Sequence, residues 1–444
     1  MFTLTKERQD FLEAEGKIVL CACPGSGKTC IVAQKLLSYA NNWHHPYKGV
    51  AVLSFTNVAS EEINKQTNEL CLINTQIGYP HFVGTLDSFT NNFILLRFGY
   101  LMQKDNRKRP KIIHENYGEL TFFSRNAECF KRGCINDPYA FHWSSRGLLR
   151  NNKDLDCGVS NRPCVTFKKS LLRKGLVTQK EVASLSLLLL QRYPQIATEL
   201  AYRFPIIIVD EAQDTSGEQM AILDILSSAG VQTLILVGDP DQAIYEWRDA
   251  TPEYFLNKMN DNSWRTLYLS SNFRSSQKIC DATFHFSHIL SGKSPAKAEG
   301  ENANYYRKPI LLQVGTNASR EDVLQKFQQY CYECGIEYLQ EKVAVLTRSR
   351  IHTGTDISGL WKSAEAKSLA EATYAWYLGS RMDAYRLCEK ALYNMVFADV
   401  QSLSYEEIRE NIERVSSFSV WKTKVISLLK CLPPPRCSLQ EWHK

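Results

Sequence analysis

Eight consecutive residues, Ala22-Cys23-Pro24-Gly25-Ser26-Gly27-Lys28-Thr29, have the makings of a phosphate site. A glycine turn between a strand and a helix aims backbone N–H groups at an anion, at the positive end of the helix. Lys28 is placed to reach β- and γ-phosphates, and the Thr29 hydroxyl to ligate Mg²⁺. Ala22 stands where the general motif has a glycine. A Gly-Ser-Gly turn alone needs no nucleotide; Gly-Lys-Thr after a strand argues for one. The expected nucleotide-binding stretch runs from Ala22 to Cys30. Cys21, Cys23 and Cys30 read as small apolar packing residues, not nucleophiles.

Three further segments carry chemistry. Asp210-Glu211 follows an apolar run. A carboxylate there suits Mg²⁺, which assigns Asp210 to the metal and Glu211 to the general base that polarises water. Taken alone, two such acids would more simply cap the next helix. Gly238-Asp-Pro-Asp-Gln242-Ala-Ile-Tyr245-Glu-Trp247-Arg248 offers Gln242 as a γ-phosphate sensor and Tyr245 and Trp247 as stacking faces for bases. Asn272-Phe273-Arg274 supplies an arginine that can stabilise transition-state charge on the γ-phosphate across an interdomain cleft.

These residues need elements to position them. KIVLCA (17–22), VAVLSF (50–55), PIIIVD (205–210) and TLILVG (233–238) are short and apolar, and helical patterns separate them. Strands buried on both faces and alternating with helices predict a parallel α/β sheet. PILLQV (309–314) and VAVLTR (343–348) bracket a helical EDVLQKFQQYCYE and suggest a second α/β unit after about residue 266. Residues 97–200 are basic, aromatic and turn-rich, then helical, and read as an insertion. Residues 356–430 read as helical throughout.

Bulk composition is that of a soluble globular chain of several domains: 444 residues, 44% hydrophobic and 23% charged, with a net charge of +6. The excess fits a polyanion partner. Arg97, Lys104, Arg107, Lys108, Arg109 and Lys111 concentrate it; a solvated loop and a phosphate-contacting patch both stay open. No apolar run is long enough to cross a membrane, and the N-terminus lacks a signal-peptide core. Fourteen cysteines without a secretory signal suggest reduced thiols and a cytoplasmic location. Cys331-x-x-Cys334 is a possible zinc pair, but ordinary thiols are the simpler reading.

In this order and spacing, the four segments resemble the UvrD/Rep/PcrA group of superfamily 1 DNA helicases. Ser54-Phe55-Thr56-Asn57 looks like the family's T-F-T-N segment, and Gly84-Thr85-Leu86-Asp87-Ser88-Phe89 like its G-T-x-H-x-F segment. The resemblance implies P-loop RecA-like domains with mostly helical inserted subdomains: domain 1A in residues 1–96 and 186–265, 1B in 97–185, part of 2A in 266–350, and a 2B-like helical part in 351–444. It implies that ATP with Mg²⁺ drives 3′–5′ movement on single-stranded DNA. It gives Phe55, Thr56, Asn57, Thr85, Tyr245, Trp247 and Arg248 to DNA, and Phe273 to the adenine. The adenine-contacting glutamine of the family aligns with Arg8 or Gln9. The family's late motifs, including a second γ-phosphate arginine, are not found after residue 350, which suggests either a chain that stops early or a real loss. The compact length also resembles the helicase-like subunit of the Gabija antiphage system, implying a nuclease partner.

Overall fold

A computed structural model describes the chain except for residues 1–3, 42, 71–76, 103–108, 114–126, 132–139, 146, 151–152, 155–161, 244–250, 288–293, 311–319, 338–342, 345–362, 378–380, 398–410 and 434–444. It contains two compact units, one of residues 1–116 and 120–310, the other of 117–119 and 311–444.

The first unit is built on six strands: β1 (Lys17–Ala22), β2 (Val50–Ser54), β3 (Phe82–Thr85), β4 (Ile206–Val209), β5 (Thr233–Gly238) and β6 (Arg265–Leu269). Their order across the sheet is β6-β1-β5-β4-β2-β3, and every neighbouring pair is parallel. The strands read as continuous apolar runs because both faces are covered. Ile18, Leu20, Val50, Val52, Ile206, Ile208, Ile235 and Val237 face one layer, made by α1 (Lys6–Glu13), α2 (Lys28–Ala40) and α3 (Asn57–Leu70). Val19, Ala51, Leu53, Ile207, Val209, Leu234 and Leu236 face the other, made by α4 (Val182–Arg192), α5 (Pro194–Arg203) and α6 (Gly217–Ser228). Each buried branched side chain contributes roughly 1.5–3 kcal/mol, so these two layers hold the sheet rigid beneath the site.

The four apolar runs are strands, as their composition implies. The strand Arg265–Leu269 departs from the expected division at 265. It pairs with β1 in the first sheet, and the first unit continues to residue 310. Apolar patterning identifies a strand but not the sheet that accepts it. Here the open edge of β1 does. The runs at 311–314 and 345–348 lie outside the described residues.

The insertion between β3 and β4 adds strands to its helices. Lys111–Ile113 pairs with Leu176–Thr178, and Phe141–Ser144, Gly147–Arg150 and Lys153–Asp154 form an antiparallel sheet. A buried Lys168–Glu181 ion pair of 2.8 Å fixes its return to α4, and Glu181 also accepts from the Thr178 amide and hydroxyl. The second unit packs the helices Ala364–Tyr377, Arg381–Val396 and Phe418–Cys431 around Ala384, Cys388, Trp421 and Val425. Among the described residues no helix is long and apolar enough to cross a membrane, and no cluster of metal-ligating side chains occurs. Cys129, Cys164 and Cys331 are buried.

Candidate nucleotide-binding and motor site

Parallel strands bring their C-terminal ends to one edge, and each of the six strands delivers a segment singled out in the sequence. The β1 end becomes the glycine turn. Gly25 and Gly27 adopt left-handed backbone (φ 72° and 79°), which a side chain would strain. Gly27 also caps α2, so the helix N-terminus points into the turn. The β4 end presents Asp210 and Glu211, the β5 end Asp239 and Gln242, the β6 end Asn272 to Arg274, and the β2 end Phe55 to Asn57.

A cleft of about 450 Å³ lies at this edge, lined by Gly25 to Cys30, Glu62, Gln66, Glu211, Gln242 and Arg274. Lys28 Nζ is 3.6 Å from a Glu211 carboxylate oxygen and makes no hydrogen bond. Ser26 Oγ and Asp210 Oδ2 are likewise buried without a hydrogen-bond partner. Buried polar atoms left unmade cost free energy, and three around one anion-shaped turn indicate a ligand that completes them. Burial, with the Glu211 carboxylate beside it, pushes Asp210 up to about 7 despite the pull of Lys28. A cation beside Asp210 would reverse that penalty, so the donor set of Thr29 hydroxyl and Asp210 carboxylate fits Mg²⁺. Glu211 is the one non-glycine among the described residues with positive φ, at 54°. Such strain of about 1–3 kcal/mol concentrates at functional positions.

Gln213, absent from the expected site, ties two of these segments together. Its Nε2 donates to Glu211 Oε2 at 2.9 Å and to Asp214 Oδ2 at 3.2 Å, while its Oε1 accepts from the Asp239 amide at 3.1 Å. Gly238 is required beside it, since an added Cβ would lie 2.6 Å from Gln213 Oε1. Gln242 Nε2 is committed to Asp239 Oδ2 at 2.6 Å. Burial raises the Asp239 carboxyl, and Lys28 and this bond oppose the rise.

Arg274 reaches the cleft from the strand beside the phosphate loop, within one unit. Asn272 makes that placement. Its Nδ2 donates to Pro24 O at 2.7 Å, its Oδ1 accepts from the Arg274 and Ser275 amides at 2.8 Å each, and the Phe273 amide donates to Gly25 O at 2.9 Å. The motif spelling carried the signal, but spacing gave no sign that Asn272 is the hinge of the contact.

The pair left open at the N-terminus separates clearly. Arg8 is buried, donates from Nη2 to Ser26 O at 2.6 Å, and lies 4.2 Å over the Phe273 ring. Gln9, expected at the nucleobase, is exposed and bonds Glu13 instead. One residue along a helix turns a side chain by about 100°, so Arg8 faces the loop and Gln9 does not. Cys23 donates to Ser271 O at 3.6 Å, and burial pushes its thiol up to about 12, so it is no nucleophile. Cys30, the last residue of the expected nucleotide-binding stretch, is half-buried and is among the residues that line the cleft.

A family model described as the UvrD/REP helicase N-terminal domain matches residues 4–133 and 150–263, more than half of the chain. The chain belongs to the UvrD/REP helicase family. It is 25% identical over 354 residues to Gabija protein GajB of Bacillus cereus (strain VD045), covering 77% of this chain and 59% of that protein. It is 31% identical over 324 residues to the ATP-dependent DNA helicase PcrA of Leuconostoc citreum, covering 68% and 42%. Against the ATP-dependent DNA helicase Rep of Buchnera aphidicola subsp. Acyrthosiphon pisum the identity is 25% over 285 residues, covering 60% and 42%. The chain thus spans between 42% and 59% of the length of these relatives.

On the expected nucleic-acid side of this helicase fold, β2 and β3 set Phe55–Asn57 and Thr85 at adjacent strand ends, with Ser54 in register with Thr85. Phe55 is half-buried and Asn57 exposed. The Thr85 hydroxyl already accepts from the Ser88 amide at 3.0 Å as a helix cap. Tyr245, Trp247 and Arg248 lie outside the described residues.

Proposed function

We propose that the chain is an ATP-driven motor on single-stranded DNA. The convergence of Lys28, Glu211, Gln242 and Arg274 on one cleft, beside buried unpartnered atoms of Ser26, Lys28 and Asp210, carries this reading. The turn amides and Lys28 bind the triphosphate, and Arg8 and Phe273 flank the loop on the nucleobase side. Thr29 and Asp210 would hold Mg²⁺, which would supply charge neutralisation at the phosphates. Glu211 orients a water and takes its proton, releasing Lys28 from their 3.6 Å contact as the γ-phosphate takes the glutamate's place. Gln242, on Asp239, senses the γ-phosphate. Gln213 joins Glu211 to the segment leading to the expected base-stacking residues, so hydrolysis and strand contact share a hydrogen-bonded path. The family resemblance suggests 3′–5′ movement. Lys28→Ala should abolish ATP hydrolysis stimulated by single-stranded DNA; survival of that activity would overturn the site assignment.

A second reading follows from the similarity to GajB over 77% of this chain: a DNA-sensing subunit whose output is a partner nuclease. ATPase assays on the purified chain separate the two. Robust DNA-stimulated turnover alone supports the motor, whereas turnover only with a co-purified nuclease supports the subunit.

A further inference from the structure

The edge of the sheet opposite the nucleotide cleft carries an aromatic and cationic surface that the motor reading does not use. Three segments meet there: residues 43–49 before β2, residues 77–81 before β3, and the end of α5 before β4. They are stitched tightly. The Gly49 amide donates to Arg203 O at 2.9 Å, the Val50 amide donates to His81 Nδ1 at 3.2 Å, and a Cβ on Gly49 would collide with Pro80 O. On this frame Tyr47, Tyr79 and Tyr202 are 66%, 71% and 57% exposed. Cations lie on two of the rings: Lys48 Nζ is 4.2 Å from the Tyr202 centroid and Arg203 is 5.3 Å from that of Tyr79. Arg97 is close enough to oppose the charge on Arg203, which in turn holds His81 down after burial. The three segments contain no Asp or Glu; the nearest along the chain is Glu199, one turn back on α5.

We propose that this edge is a second contact for single-stranded nucleic acid, separate from Phe55–Asn57 and Thr85. β2 is five residues long, so the two contacts are about 17 Å apart along that strand at about 3.3 Å per residue. Exposed rings stack on bases whatever their sequence, and a ring holding a cation on one face keeps the other. Lys48, Arg97 and Arg203 give phosphates fixed positive partners. An acidic protein segment would match the charge, but a single strand carries a flat base beside every phosphate, the pairing that rings and cations interleaved on this surface fit. Arg97 opens the basic stretch 97–111, of which Lys104, Arg107 and Lys108 lie outside the described residues.

The test is fluorescence anisotropy of the full chain with labelled oligothymidylates, a short one of about 10 nucleotides and a long one of about 30. Lys48→Gln with Arg203→Gln should weaken binding of the long oligomer about tenfold or more. It should lower the slope of log affinity against log salt by about 1.4, at roughly 0.7 for each phosphate no longer neutralised. Tyr47→Ala with Tyr202→Ala should weaken long-oligomer binding about tenfold with an unchanged slope. Short-oligomer binding and fluorescent-ATP binding should stay at wild-type levels, the latter reporting intact folding. Tyr47→Ala alone, in an exposed loop, gives a smaller loss if a double variant fails to fold. The contribution should persist in Lys28→Ala, so failure of the nucleotide assignment leaves this proposal standing. Unchanged long-oligomer affinity and slope overturn it, as does equal loss for both lengths. Unchanged DNA binding together with loss of a bound acidic protein overturns it in favour of a protein partner.

Discussion

Gln213 gives the residue scale its sharpest prediction. The amide is buried and bonded to Glu211, Asp214 and the Asp239 amide. Gln213→Ala strands those groups yet touches neither the phosphate turn nor Arg274. DNA-stimulated ATPase should fall about tenfold to a hundredfold, while fluorescent-ATP affinity stays within about threefold; equal losses in both would mean Gln213 only supports the fold. Gly25 behaves in the opposite way. At φ 72° an alanine is strained, and its Cβ would sit 2.6 Å from Asn272 Oδ1. Gly25→Ala should weaken nucleotide binding at least about tenfold, since one pushed hydrogen bond and a left-handed alanine each cost about 1 kcal/mol. Residue types made Lys28, Thr29, Asp210 and Glu211 legible in the sequence, because their chemistry is tied to local spelling. The parts played by Arg8 and Asn272 were not legible, since each depends on a contact between segments more than 200 residues apart.

At the scale of elements, α1 is held by a buried lysine. Lys35 Nζ donates to Leu12 O at 2.6 Å and Ala14 O at 2.7 Å, satisfying carbonyls at the end of that helix. Burial lowers this ammonium from 10.5 to about 8. Between those values the unfolded chain holds more protons than the folded one, so the unfolding free energy rises with pH across the window. Urea unfolding of the wild type and of Lys35→Met at pH values of about 8 and 10 should show the wild type gaining stability relative to the variant, because buried thiols such as Cys23, whose raised pKa acts in the opposite direction, are common to both. An identical pH dependence in both proteins would remove Lys35 as a source. The strands were legible because a doubly covered parallel sheet writes itself as uninterrupted apolar runs. Partner choice was not, and β6 joined β1 where a new unit had been expected to begin.

At the scale of the molecule, two compact units predict two unfolding transitions. Calorimetry with a non-hydrolysable ATP analogue should raise only the transition of the unit containing Lys28 and Arg274, by about 2.7 kcal/mol at a hundredfold excess over Kd. A single transition that moves as a whole would mean the units unfold together. The sheet, the phosphate turn and the helices Ala364–Tyr377, Arg381–Val396 and Phe418–Cys431 were readable from pattern. The boundary near 310 was not, because it depends on which unit the segment after β6 packs against.

The central claim is that one triphosphate is gripped by the turn at Gly25–Thr29 and by Arg274 from the neighbouring strand. The most direct measurement is ATP hydrolysis by Arg274→Ala, with and without single-stranded DNA, beside its affinity for fluorescent ATP. Binding should persist while stimulated turnover drops on the order of a thousandfold, the worth of an arginine at the transferred phosphate. Turnover at the wild-type rate would contradict the account.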